Sequence, residues 1–351
     1  MAFDETSIIF RVGGALAAGA AETATPVPRS ECLGLIADHV RPSPPPDSGL
    51  LIFADGQRLP GRAELDDGQL VWVHEKFGAV SIDLEKVQSI AFEPGRIATV
   101  AGAEDVVVLL NGDRLEGVVA SLGTTVMLER GTGAIRSNVS IPLERIATLS
   151  LVTPPRPASG SRLWLANGSV LDVTVKPGGD SFLLFEISTL QTSDRSRSVP
   201  MNEVRGISFG TPFGSQGITP LASITPTTVS GPAERYLVPW PALDDPAAPL
   251  GLAAIALSGP AMVTYPVPVG VRFSTVARLA REALEWGDVE LVVRDGAVER
   301  WRGVLNAGAA VHEIVVDLEG TSLTLELLEG RHGPVQDLVV LERAILAPRS
   351  K

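Results

Sequence analysis

The chain has 351 residues, 45% hydrophobic and 20% charged, with a net charge of −12 and a single cysteine, Cys32. That is enough apolar residue for packed cores and room for several domains. The acidic balance argues against a phosphate-tracking nucleic-acid binder, and one thiol excludes an intrachain disulfide framework or a multi-cysteine zinc site.

Residues 1–48 read as a disordered or signal-like tail and linker. Ile8-Ile9-Phe10 and the small residues to Ala21 resemble the apolar core of an export signal. Asp4 and Glu5 stand where such a signal carries positive charge, and Arg11 interrupts it. Pro42-Ser43-Pro44-Pro45-Pro46 is linker-like. No stretch qualifies as a membrane span: the most apolar windows are short or broken by Arg11, Gly and Pro.

From residue 49 one phrase occurs three times, with its glycine at Gly56, Gly112 and Gly168. The copies are Ala54-Asp55-Gly56-Gln57-Arg58-Leu59, Leu110-Asn111-Gly112-Asp113-Arg114-Leu115 and the weaker Ala166-Asn167-Gly168-Ser169-Val170-Leu171. A second phrase follows each: Leu84-Glu85-Lys86-Val87, Leu143-Glu144-Arg145-Ile146 and Met201-Asn202-Glu203-Val204. Fixed-period self-similarity means one supersecondary unit used repeatedly. The boundaries fall at 49–95, 103–153 and 159–210. In the second copy Val106–Leu110 runs into the Asn111-Gly112 turn, a hairpin signal. Three further short strands and a tight turn at Pro142–Arg145 complete it. So small a unit buries one apolar face best as a strongly bent sheet or small barrel. The arrangement resembles SH3-like and Sm-like barrels, which also place a 3₁₀ turn before the last strand. Ile90, Leu149 and Ile207 occupy one register position and are predicted to be buried.

The register also disposes of an enzyme motif. Gly206-Ile207-Ser208-Phe209-Gly210 matches the G-x-S-x-G nucleophile elbow, which must join a strand to a helix. Here it is the third copy's closing strand, followed by Thr211-Pro212. Asp55, Asp113, Glu85 and Glu144 look like paired carboxylates, but turn and cap roles explain them. The expectation is a non-enzyme with no catalytic residues, no metal site and no cofactor.

After a Pro/Thr/Ser-rich stretch at Ile218–Pro232 the pattern changes. Eight strand-like segments follow between Ala253 and Leu346, separated by Gly, Asp and Pro turns, which predicts a two-sheet sandwich over 219–349. Thr275–Trp286 has helix formers at 3–4 spacing; a strand is expected at its start, then a helical turn or loop. The whole chain is thus expected to be all-β: three tandem small β-barrel-like repeats, then a jelly roll.

Within 219–347, Gly251-Leu252, Leu257-Ser258-Gly259 and Met262-Val263-Thr264-Tyr265-Pro266-Val267-Pro268 resemble the novel putative carbohydrate-binding module family (NPCBM). The likeness continues through Asp288–Val293, Arg294-Asp295-Gly296 and Asp317-Leu318-Glu319-Gly320. Two departures stand out. Ala253-Ala254-Ile255-Ala256 lies near where members have a Gly- and His-containing segment, and Leu341 replaces an expected aromatic. The resemblance implies a galactose-binding-like jelly roll whose partner is a glycan or cell-surface polysaccharide. It implies a non-catalytic protein of the bacterial envelope or exterior, with other envelope proteins as further partners and no nucleic acid. The alternatives are an interaction scaffold without a small-molecule site, and a cytoplasmic location. Sugar rings present apolar C–H faces to an indole while their hydroxyls need directional donors. The candidate platform is therefore Trp286, beside Gly287-Asp288, with Trp301, and with polar contacts from Arg331 and His332; Trp240 and Tyr265 are further aromatics of this region.

Overall fold

The computed structural model describes residues 2–3, 7–11, 24–28, 32, 34–37, 48–66, 69–96, 98, 101–131, 137–157, 160–176, 181–187, 196–209, 217–231, 242–243, 245, 247–333 and 335–349. Two compact units divide the chain, Met1–Thr211 and Pro212–Lys351. Both are built from antiparallel strands and short 3₁₀ turns.

The first unit begins with strands inside the segment read as a tail. β1 (Ala2–Phe3), β2 (Ser7–Arg11) and β3 (Ala24–Pro28) form a three-stranded antiparallel sheet. β4 (Gly34–Ile36) pairs into the third repeat. A pattern search misses strands this short, because pairing rather than periodicity defines them.

Each repeat then supplies five strands. The first has β5 (Gly49–Phe53), β6 (Arg58–Asp66), β7 (Gln69–His74), β8 (Gly78–Ser81) and β9 (Val87–Ala91). The second has β10 (Asp105–Leu109), β11 (Arg114–Leu122), β12 (Thr125–Arg130), β13 (Ser137–Pro142) and β14 (Ile146–Ser150). The third has β15 (Ser161–Leu165), β16 (Val170–Lys176), β17 (Phe182–Ile187), β18 (Ser196–Pro200) and β19 (Val204–Ser208). A 3₁₀ turn precedes each closing strand, at Leu84–Lys86, Leu143–Arg145 and Met201–Glu203.

The shared phrase is one hairpin turn made three times. Gly56, Gly112 and Gly168 take φ of 85°, 91° and 87°, left-handed values that a side chain disfavours. The residue before each glycine holds the turn through its side-chain oxygen. Asp55 Oδ1 accepts from Gln57 N, Asn111 Oδ1 from Asp113 N and Asn167 Oδ1 from Ser169 N, at 3.0–3.1 Å. Asp83 caps its 3₁₀ turn by accepting from Glu85 N. These carboxylates are scaffold. Ile90, Leu149 and Ile207 are all buried, as the register predicts.

The repeats are not closed barrels. Strand order within the first is β8-β7-β6-β5-β9, with no pairing between β8 and β9. The reason is a competing partner: β9 pairs instead with β14 of the second repeat, Ile90 opposite Leu149. β6 also meets β16, joining repeats one and three. Three bent five-stranded units thus share one sheet and one apolar core. Ser208, in the elbow-like motif, is buried on β19 and accepts from Arg162 N at 3.2 Å, a strand residue.

The third phrase lies at a contact between repeats one and three. Its Ser169, where the other copies have Gln57 and Asp113, meets a buried histidine, His74, at 2.9 Å. His74 Nδ1 accepts from Lys76 N and Phe77 N, so the ring proton sits on Nε2 and donates to Ser169 Oγ. Arg162 crosses the same contact, donating to Asp172 and to the Asp55 carbonyl, each at 2.7 Å. Burial, with help from the Lys76 charge, lowers the His74 pKa from 6.5 to about 4. Between those values the unfolded chain binds a proton that the folded chain refuses. Stability of the first unit is therefore full above pH 6.5 and falls as pH drops toward 4, by up to about 3 kcal/mol. Denaturant titrations of wild type and His74→Gln from pH 7.5 to 4.5 check this: the wild-type slope should be markedly reduced in the variant.

The second unit opens with β20 (Thr219–Pro220), β21 (Thr228–Ser230) and β22 (Ala242–Leu243). Eight main strands follow: β23 (Ile255–Ser258), β24 (Ala261–Pro266), β25 (Val271–Leu279), β26 (Asp288–Asp295), β27 (Val298–Asn306), β28 (Val311–Leu318), β29 (Ser322–Glu329) and β30 (Leu338–Pro348). They form two sheets, β23-β30-β25-β28 and β24-β29-β26-β27, in the jelly-roll order, with the chain crossing between sheets everywhere except at the β26–β27 hairpin. The region with mixed strand and helix signals is strand to Leu279, then a 3₁₀ turn at Arg281–Ala283. Phe273, Leu291, Leu325 and Leu341 are among the residues filling the core between the sheets. Leu341 is fully buried, so the missing aromatic leaves a packed aliphatic position.

Candidate functional site

A jelly roll crosses repeatedly between its sheets, and each crossing leaves a loop at one end of the sandwich. Three crossings meet around Asp288. The β25–β26 loop carries Trp286, the β29–β30 loop carries Arg331, His332 and Asp337, and the β23–β24 turn carries Gly259. Backbone hydrogen bonds knit them: Gly259 N donates to Asp337 O at 2.6 Å and Ala280 N to Leu338 O at 2.8 Å. Gly287 has no room for a side chain, since a Cβ there would lie 2.8 Å from Gln336 O.

Trp286 is displayed. Its side chain is 51% exposed, on the loop between the 3₁₀ turn and β26. The His332 ring stands edge-on to the indole at 6.1 Å. His332 is held there because Gly330–Gly333 forms a tight turn whose Arg331 N donates to Asp288 Oδ2 at 3.2 Å. The Arg331 side chain is 89% exposed, its Nε 3.9 Å from Asp288 Oδ2. An apolar indole face stands beside an imidazole, and a guanidinium lies on the same turn as that imidazole, next to the buried Asp288 carboxylate. That set can stack on a ring and donate to its hydroxyls or carbonyls.

Trp301 does not join them. It lies opposite Val293, five residues along β26 from Asp288, which is roughly 17 Å at strand rise. Its indole covers Gly303, where a Cβ would sit 2.5 Å from the ring, and it packs on the core. The His312 ring abuts it at 5.5 Å, and His312 Nε2 lies 2.9 Å from Val304 O. The glycine and the histidine make Trp301 filler between two edge strands. Trp240, another aromatic the sequence offers, falls outside the described residues.

Sequence reasoning gave Asp337 no role in the site. It is buried, and neither carboxylate oxygen has a well-aligned hydrogen-bond partner. Burial raises its pKa from 3.8 to about 6; the Asp288 and Glu329 charges add to this, and the Asp288 N–H offsets only part. Asp295 is as buried but is partnered by Glu319 N, Gly320 N and Arg300. There burial also pushes upward, yet those hydrogen bonds hold the group below its usual value. Only partner count in the fold separates these two residues, and sequence does not encode it. Between pH 3.8 and 6 the folded sandwich keeps a proton on Asp337 that the unfolded chain has lost, so stability falls as pH rises through this window. Asp337→Asn should remove that loss and raise the melting temperature of the second unit at pH 7.5. A lower melting temperature in the variant would mean that the charged carboxylate has a stabilising partner.

A second concavity lies on the same unit. A cavity of ≈ 290 Å³ is lined by Leu221, Ile224, Pro226, Leu243, Ile255 and Tyr265, with the intervening chain. Tyr265 is buried at its wall, and burial pushes its phenol up to about 12. Among the described residues no group of three His, Cys, Asp or Glu side chains could hold a metal ion. No described helix is long and apolar enough to cross a membrane.

No known family matches the chain by sequence, and no curated protein does. Among solved structures it is similar to the CBM51-2 and INT domains of ZmpB from Clostridium perfringens, at 14% identity and a TM-score of 0.32. That match covers 50% of this chain and 40% of the other, so the chain spans well under two thirds of that relative. It is also similar to the CBM51 of Clostridium perfringens GH95, solved with methyl-galactose, at 13% identity and a TM-score of 0.31, covering 37% of this chain and 99% of that one. A third similarity is to the tandem CBM51 modules of Sp3GH98 from Streptococcus pneumoniae SP3-BS71, at 11% identity and a TM-score of 0.29, covering 83% of this chain and 88% of that one.

Proposed function

We propose that the C-terminal sandwich is a non-catalytic glycan-binding module of the NPCBM type. The sugar ring stacks on Trp286, and Arg331 and His332 address its hydroxyls. One observation carries this reading: a half-exposed indole stands outside the core, beside two polar side chains on a turn pinned by Asp288. Core packing does not account for that display, and a large exposed aromatic beside fixed polar groups is a recognition feature. On this reading the protein works at the bacterial envelope or exterior, where polysaccharide is available. Binding of the full chain to immobilised glycans and purified polysaccharides tests it, with product analysis to detect cleavage. Retention without cleavage is the expected result. No retention across neutral and acidic sugars would reject the reading.

A scaffold role without a small-molecule site is favoured by a different observation. Three repeats share one continuous sheet, an architecture that offers extended surface rather than a pocket. It predicts no glycan retention at all.

A further inference from the structure

The closing strands of repeats one and two pair with each other, and the pairing is close to two-fold symmetric. Ile90 faces Leu149, its equivalent, while Ser89 faces Ser150 and Ala91 faces Thr148. The flanking bonds obey the same symmetry: Phe92 N donates to Ala147 O and Leu151 N to Gln88 O, both at 2.9 Å. The third closing strand, β19, has no sister repeat in the chain. β4 takes that place residue for residue. Leu35 faces Ile207, Gly34 faces Ser208 and Ile36 faces Gly206. Ala37 N donates to Arg205 O at 2.8 Å, the bond that Phe92 and Leu151 make in the other pair. Cys32 and Leu35 pack on the shared core at the positions of Val87 and Ile90. β4 is thus a closing strand without a repeat behind it.

We infer that β4 masks a homotypic edge, and that β19 of one copy pairs antiparallel with β19 of a second copy once β4 is released. Two of the three equivalent strands already pair in this way, so the partner is a second copy of this chain, with Ile207 facing Ile207 across the two-fold axis. An unmasked strand edge is a template for pairing, and covering it with a short strand is a way to prevent that. The exchange gives up the short β4 ladder, the Ala37 bond and the packing of Cys32 and Leu35, and gains a pair of the β9–β14 kind.

The test is the mass of the full chain in solution by light scattering and sedimentation, from about 1 to 100 µM, for wild type and Leu35→Pro. Proline at the centre of β4 removes a ladder donor and bends the strand away. Wild type is expected at one chain mass and Leu35→Pro at two. Excess synthetic peptide spanning residues 31–40 should return the variant to one. Hydrogen exchange at residues 34–37 reports whether β4 has been released. If it is still docked in the variant, deletion of residues 1–37 is read in its place. A one-chain mass with β4 released, or a two-chain mass that the peptide leaves unchanged, overturns the proposal.

Discussion

Leu149→Asp should destabilise the first unit by about 4 kcal/mol or more, enough to unfold it at physiological temperature. Leu149 is fully buried and lies between Val107 on β10 and Ile90 on β9. An aspartate there loses the packing of a leucine and buries a charge with no partner. Because β14 is flanked by strands of two repeats, the damage spreads to both. Ile90→Asp and Ile207→Asp should behave alike, since each occupies the same register site and is buried. The control is Leu110→Asp, at a side chain 43% exposed beside the hairpin turn, where a change under about 0.5 kcal/mol is expected. Urea titration followed by tryptophan fluorescence measures all four. Equal midpoints for Leu149→Asp and Leu110→Asp would mean that the repeat register is wrong.

Trp286→Ala should abolish glycan retention while leaving the melting temperature of the second unit unchanged within about a degree. The indole is half exposed and its loop is held by backbone bonds, Gly287 N to Ala283 O at 2.8 Å among them. Removing the ring therefore opens no cavity. What it removes is the flat apolar face on which a sugar stacks. Truncating a central aromatic anchor commonly costs more than about 2 kcal/mol of binding, a loss well over tenfold. Trp301→Ala should show the opposite split. Its ring covers Gly303 and fills the gap beside His312, so the variant should melt earlier and keep whatever binding the wild type has. Calorimetry and a binding isotherm on both variants separate the two roles. If Trp286→Ala melts several degrees lower, the indole is structural and the glycan reading loses its platform.

Much of this architecture was legible in the order of the residues. The thrice-used turn declares itself because a left-handed glycine preceded by Asp or Asn is a local requirement, met at Gly56, Gly112 and Gly168 without help from the rest of the fold. The eight jelly-roll strands are legible because a half-buried strand alternates, as Leu323, Leu325 and Leu327 do against their polar neighbours. The placement of Trp286 beside a loop follows from Gly287-Asp288 for the same local reason.

Pairing is not written locally. Whether a closing strand turns back on its own repeat or onto a neighbour depends on an edge that no periodicity encodes, and so expected barrels are open sheets. The three residues of β4 are too few to show any pattern, yet their register against β19 makes them a strand. Trp301 is separated from Trp286 by strand register, a quantity set by the whole sheet. Asp337 and Asp295 are the same residue type at similar burial, and the donors around each shift their pKa values in opposite directions. Local conformation is written in neighbouring residues. Long-range partners are settled by which edges and donors the fold has left over.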